Sequence, residues 1–190
     1  DFLIAICAND MMKNGKLKKH TAVGTVMTNM GFSKFCEANG IDFVSTKVGD
    51  RYVLESMLQN GYNIGGEQSG HIIFLDHSTT GDGELSGAML LSIMKRTGEK
   101  LSDLAKIMER YPQVLINVKV SNEGKLSFYT DKEVKAEINR VTEILGDTGR
   151  ILVRVSGTEP LVRVMLEGEN LEQIQTLAEE AAQVVRERLA

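Results

Sequence analysis

Two arginines bracket a short turn in this 190-residue sequence, and their spacing suits the capture of an anion. The turn is Ser156-Gly157-Thr158-Glu159-Pro160, with Arg154 before it and Arg163 after it. Ser156 and Thr158 bring hydroxyls, and Gly157 lets backbone N–H groups approach a bound oxyanion closely. Arg154 and Arg163 can close over that anion with paired N–H donors, a geometry that matches phosphate. An ordinary hairpin loop with two surface arginines is the competing reading. The residues alone leave both open.

A second polar cluster is Gly65-Gly66-Glu67-Gln68-Ser69-Gly70-His71. A carboxylate, an amide and a hydroxyl set between glycines can pair adjacent hydroxyls of a sugar, accepting and donating at once. The alternative is a glycine-rich connection facing water. A third segment, Val48-Gly49-Asp50-Arg51-Tyr52, places Asp50 as a helix cap and frees Arg51 to project toward a cleft or toward solvent. A fourth, Thr79-Thr80-Gly81-Asp82-Gly83-Glu84, opens a long helix, where acidic side chains favour the helix dipole and need no functional role.

Other chemistries lack their residues. Gly65 to Gly70 has P-loop spacing, but His71-Ile72 stands where Lys and Ser/Thr are required. Gly81-Asp82-Gly83 does not complete a dinucleotide fingerprint, and no H-E-x-x-H, C-x-x-C or Asp-x-Asp occurs. His71 and His77 share one side of a short strand without further ligands, so no metal site is assigned to the chain. Cys7 and Cys36 sit among apolar residues and are read as buried free thiols of a reducing compartment.

The elements that must hold these loops follow from periodicity and caps. Helices are expected over 3–12, 31–38, the segment after Asp50, 82–96 and 101–108, and strands over 21–27, 41–46, 62–66 and 71–75. Strands alternating with helices imply a parallel sheet covered on both faces, a doubly wound three-layer α/β/α domain. After Tyr111-Pro112 the pattern changes to a strand at 114–120, a helix at 131–145, strands at 151–155 and 161–166, and a helix capped by Asn170. That order, β-α-β-β-α, describes a smaller α+β domain. The expected boundaries are 1–112 and 113–190.

Composition narrows the function classes. Hydrophobic residues form 42% and charged residues 25% of the chain, as in ordinary globular domains. Residues 1–112 carry 12 basic and 13 acidic side chains and residues 113–190 carry 10 and 13, so neither part offers a basic surface for nucleic acid. With no Trp and 5% aromatics, base-stacking platforms are not expected either. No apolar run is long enough to span a bilayer. The chain opens within a helical pattern at Asp1-Phe2-Leu3 with no basic stretch, so we expect no signal peptide and a cut from a longer protein.

Gly66-Glu67-Gln68-Ser69-Gly70-His71, Thr80-Gly81-Asp82-Gly83 and Arg154 to Pro160 with Arg163 occur in the order of one known family. Together they make the chain resemble the bacterial phosphoglucosamine mutases of the α-D-phosphohexomutase superfamily, over essentially all its residues. Gln68 and the Ser-Gly-Thr-Glu-Pro form favour that branch over phosphomannomutase/phosphoglucomutase, which remains an alternative beside a non-catalytic phosphosugar-binding module.

The resemblance implies four domains around one cleft, of which this chain would be the third (sugar-binding) and the fourth (phosphate-binding). It implies interconversion of glucosamine 6-phosphate and glucosamine 1-phosphate, on the route to UDP-N-acetylglucosamine and cell wall. A phosphoserine in the first domain, a Mg²⁺ in the second and a glucose or glucosamine 1,6-bisphosphate would take part. By the same resemblance Glu67, Ser69, Gly49, Asp50 and Arg51 read the sugar, and Arg154, Ser156, Gly157, Thr158 and Arg163 hold the phosphate. His71 would lie near the reacting phosphoryl group. The serine loop and the Asp-rich metal loop are absent from the sequence, so we expect the chain alone to bind ligand weakly and catalyse nothing. The partners implied are a phosphosugar and the missing N-terminal domains, in a cytoplasmic enzyme whose family allows a homodimer.

Overall fold

A computed structural model describes residues 1–190, and the chain divides into two compact units, Asp1–Arg110 and Tyr111–Ala190. In the first unit the order is α1 (Phe2–Lys13), β1 (Thr21–Thr25), α2 (Met30–Ala38), β2 (Asp42–Thr46), α3 (Asp50–Asn60), β3 (Ile64–Gly66), β4 (Ile72–Phe74), α4 (Gly83–Thr97) and α5 (Leu101–Leu104). The sheet order is β2-β1-β3-β4. Every residue of β1 is buried, as a central strand covered on both faces requires, whereas β2 at the edge has only exposed and half-buried residues.

The period of two along a strand divides the core. Ala22, Ile64, Ile72 and Phe74 point to one face, where Ile4, Cys7 and Met11 of α1, Phe32 and Phe35 of α2 and Ile93 of α4 pack on them. Val23 and Ile73 point to the other, against Val53 and Met57 of α3. Helices α2 and α3 therefore lie on opposite faces, which is the doubly wound, three-layer arrangement. Strands β1, β2 and β3 run parallel, so the loops leaving their carboxyl ends open at one edge of the sheet. Ligands of such sheets bind at that edge, where the winding reverses between β1 and its neighbours.

Three local expectations need correction. The sheet is not wholly parallel: β4 is antiparallel to β3, because residues 67–71 are too few for a crossover. Asp50 does not cap α3. Gly49 is the capping residue, at φ +128°, and Asp50 is the first helical residue, accepting the Arg51 N–H at 2.8 Å. The segment 101–108 is one α-turn followed by a 3₁₀ turn at Ala105–Ile107, not a continuous helix.

The second unit contains β5 (Gln113–Lys119), α6 (Asn122–Ser127), α7 (Lys132–Leu145), β6 (Gly149–Val155), β7 (Leu161–Gly168) and α8 (Leu171–Leu189). Its sheet, β5-β7-β6, is antiparallel throughout. Val162, Val164 and Leu166 of β7 face Val141 and Leu145 of α7 and Ile174, Ala178 and Val185 of α8. Alternation then places Arg163, Met165 and Glu167 on the opposite face. Glu167 is fully buried there and accepts from Arg150 Nε at 2.7 Å and Gln113 Nε2 at 3.1 Å. Helices α7 and α8 are started by side-chain caps: Asp131 Oδ1 accepts from Val134 N at 2.9 Å and Asn170 Oδ1 from Gln173 N at 3.1 Å. No helix of either unit is long and apolar enough to cross a membrane.

Candidate functional site

In the second unit the hairpin between β6 and β7 begins where Ser156 N donates to Leu161 O at 2.8 Å. Ser156 is buried and its Oγ accepts the Glu159 N–H at 3.3 Å, so this hydroxyl shapes the turn and keeps its own proton to give. The Glu159 carbonyl accepts from Leu161 N at 2.8 Å and from Lys125 Nζ of α6 at 3.0 Å. Val120 N, just past β5, reaches Pro160 O at 3.0 Å. The tip is left open: Gly157 and Thr158 are exposed, and their backbone N–H groups have no acceptor in the chain.

Beside that tip, Arg154 of β6 and Arg163 of β7 are register partners, with Asn117 of β5 opposite Arg163 on its other side. Arg163 Nη2 donates to Glu159 Oε2 at 2.6 Å, while its Nε is buried with no partner. Arg154 has no carboxylate partner. Burial first, and the Arg163 charge second, pull its pKa below the usual guanidinium value. Like charges directly opposite on a sheet destabilise it. Two free N–H groups, an unpaired guanidinium and an orphaned Nε form an electropositive nest suited to an anion of several oxygens.

In the first unit, the loops after β2 and β3 are joined by one bond: Gly49 N donates to Glu67 Oε1 at 2.9 Å. The Gly49 backbone conformation is one that L side chains rarely adopt, and it aims the N–H at that carboxylate. Asp50 is exposed, and Arg51, also exposed, is held by Glu55 Oε1 at 2.8 Å, a bond that raises the guanidinium pKa. Ser69 Oγ lies 3.2 Å from His71 Nδ1, and both side chains are exposed. Gly81 packs beneath His71: a Cβ there would stand 3.2 Å from that of His71. Asp82 N–H bonds to Ile72 O at 3.2 Å, and Asp82 Oδ1 caps α4 at 2.9 Å. The Thr80-Gly81-Asp82 segment, whose residues locally read as a helix start, thus also supports the loop that carries Glu67, Ser69 and His71.

The structure brings Gly49 into contact with Glu67, Ser69 into contact with His71, and Arg154 and Arg163 to the Ser156–Pro160 turn. Lys125 and Asn117 were not singled out in the sequence. Asn117 was within reach from strand alternation, whereas no local signal marks Lys125. No three His, Cys, Asp or Glu side chains gather so as to hold a metal ion. Cys7 and Cys36 are buried and unpaired, and burial pushes both thiols up to about 12, so neither is a nucleophile.

Residues 1–111 match the family model "Phosphoglucomutase/phosphomannomutase, alpha/beta/alpha domain III", and residues 115–184 match that of the C-terminal domain of the same family. The chain is 53% identical over its whole length to a phosphoglucosamine mutase of Caldanaerobacter subterraneus subsp. tengcongensis and 51% identical to one of Clostridium botulinum. It spans 42% of the length of each. Among solved structures it is similar to Aspergillus fumigatus N-acetylphosphoglucosamine mutase, with a TM-score of 0.81 at 20% identity over 98% of this chain and 43% of that one. Another structure of that enzyme, in complex with GlcNAc-6P and magnesium, gives 0.77 at 17% identity over 100% of this chain and 44% of that one.

Proposed function

The chain belongs to the phosphoglucomutase/phosphomannomutase family, and on that premise we propose that it is the C-terminal part of a phosphoglucosamine mutase. Identity above one half to such enzymes along the entire chain supports the substrate assignment. The reaction is the interconversion of glucosamine 6-phosphate and glucosamine 1-phosphate, through a sugar bisphosphate, in the cytoplasm. Residues 1–112 supply the sugar-reading domain and residues 113–190 the phosphate-holding one.

The observation that carries this reading is the pair Arg154–Arg163 beside the two unbonded N–H groups of Gly157 and Thr158. Phosphoryl transfer is mostly positioning and charge stabilisation. A fixed grip on the non-reacting phosphate lets one sugar be presented in two opposite orientations. Glu67, Gly49, Asp50, Arg51 and Ser69 then read hydroxyls, and His71, oriented by Ser69 at 3.2 Å, stands near the reacting group. The metal and the phosphoserine belong to residues outside this chain, so no chemical step is assigned to it alone.

The test is mutase turnover by the longer protein, native and with Arg163→Met. A loss of about 100-fold or more in kcat/KM for glucosamine 6-phosphate is expected, about 3 kcal/mol for a charge-assisted contact to phosphate. The purified 190-residue chain should show no turnover. Equal activity of variant and native protein would overturn the reading.

A further inference from the structure

We propose that Glu159 is an internal counter-anion: its carboxylate holds Arg163 and yields the guanidinium to an incoming phosphate, making the grip weaker and faster to release than the arginine pair alone would be. The inference rests on the reading of Arg154 and Arg163 as a phosphate site.

The geometry separates the backbone of Glu159 from its side chain. Its N–H is held by Ser156 Oγ at 3.3 Å, and its carbonyl is held by Leu161 N at 2.8 Å and Lys125 Nζ at 3.0 Å. The carboxylate makes one bond, to Arg163 Nη2 at 2.6 Å, and the side chain is 51% exposed. It can therefore swing into water without disturbing the turn. Arg163 is 29% exposed and its Nε is unpartnered, so the guanidinium presents one edge to Glu159 and leaves another unused. Of the two arginines only Arg163 has a carboxylate within the turn, although both face the same side of the sheet.

A carboxylate bonded to one arm of an anion site competes with the ligand and also repels it. A ligand that must be let go and taken up again in the opposite orientation benefits from both effects. A grip made only of guanidinium and N–H donors would hold a dianion through the step at which it has to turn.

The experiment is calorimetric titration of inorganic phosphate into the full 190-residue chain at low ionic strength, comparing the native protein, Glu159→Gln and Arg154→Met. Gln keeps the shape of the side chain and removes its charge. Glu159→Gln is expected to bind phosphate about three- to tenfold tighter, the size of one like charge removed at a half-exposed site. Arg154→Met should bind at least tenfold weaker. If Glu159→Gln binds equally or more weakly while Arg154→Met still loses affinity, the phosphate site stands and the counter-anion role is wrong. If neither variant differs from the native chain, or no protein binds phosphate, the site assignment fails and the inference with it. Amide spectra of Glu159→Gln, compared with the native chain, report whether the turn is intact.

Discussion

Arg154 and Arg163 lie directly opposite each other on neighbouring antiparallel strands, and a single carboxylate, that of Glu159, is bonded to one of them. A sheet gains nothing from two guanidiniums in register. Their juxtaposition is the clearest mark of a candidate site in the second unit, since it is a structural cost that a bound anion would offset.

Replacing Arg154 with Met removes that repulsion. The ligand-free second unit should become more stable, by a few tenths to about 1 kcal/mol, while the stabilisation conferred by phosphate disappears. Thermal unfolding followed at amide signals of residues 113–190, with and without millimolar phosphate, checks both effects. A variant that phosphate protects as well as it protects the native chain would contradict the assignment.

The Glu67–Gly49 bond makes a separate prediction for the first unit. Glu67→Ala leaves the Gly49 N–H without its acceptor and should cost about 1.5–3 kcal/mol, as for a hydrogen bond to a charged group. Glu67→Gln retains an acceptor and should cost less. Hydrogen exchange at Gly49 reports it directly, and exchange equally slow in the Ala variant would show that the two loops are not tied through this bond.

Much of the fold could be read in the residues because it is local. Asn29, Asp82, Asp131 and Asn170 each stand one residue before a helix and accept a backbone N–H from its first turn. The five buried residues of β1, Thr21–Thr25, are uncharged and small or β-branched. Helix α6 escaped because its one large apolar residue, Leu126, is 75% exposed, so Asn122–Ser127 has no apolar face. Its place depends on Gly124, where a Cβ would come within 1.9 Å of the Leu189 carbonyl oxygen, a contact far off in sequence. Missing α6 meant missing Lys125 and its bond to Glu159. The Arg154–Arg163 proximity was legible because a short hairpin fixes register, whereas the Glu67–Gly49 bond joins two loops from different strands and left no trace in spacing.

Acid should act on α7. The Val134 N–H and then Arg188, at 3.1 Å, hold the Asp131 carboxyl below its usual range. A depressed native pKa means that its stabilisation is complete above the unfolded value, about 4, and is lost as pH falls through the native one. Asn caps as well as Asp but cannot ionise. The native chain should exceed Asp131→Asn by a few tenths to about 1 kcal/mol near pH 6, and the gap should close by about pH 2–3. Urea midpoints at both pH values measure it, and a gap that widens with acid would reverse the sign.

The central claim is that one chain reads sugar with residues 49–71 and phosphate with residues 154–163. Amide NMR titration with glucosamine 6-phosphate, mannose 6-phosphate and inorganic phosphate tests it most directly. The account predicts shifts at Ser156–Glu159 with all three ligands, joined by shifts at Gly49 and Glu67–Ser69 with glucosamine 6-phosphate and not with phosphate. Shifts elsewhere in the chain, with Ser156–Glu159 unmoved at millimolar ligand, would contradict it.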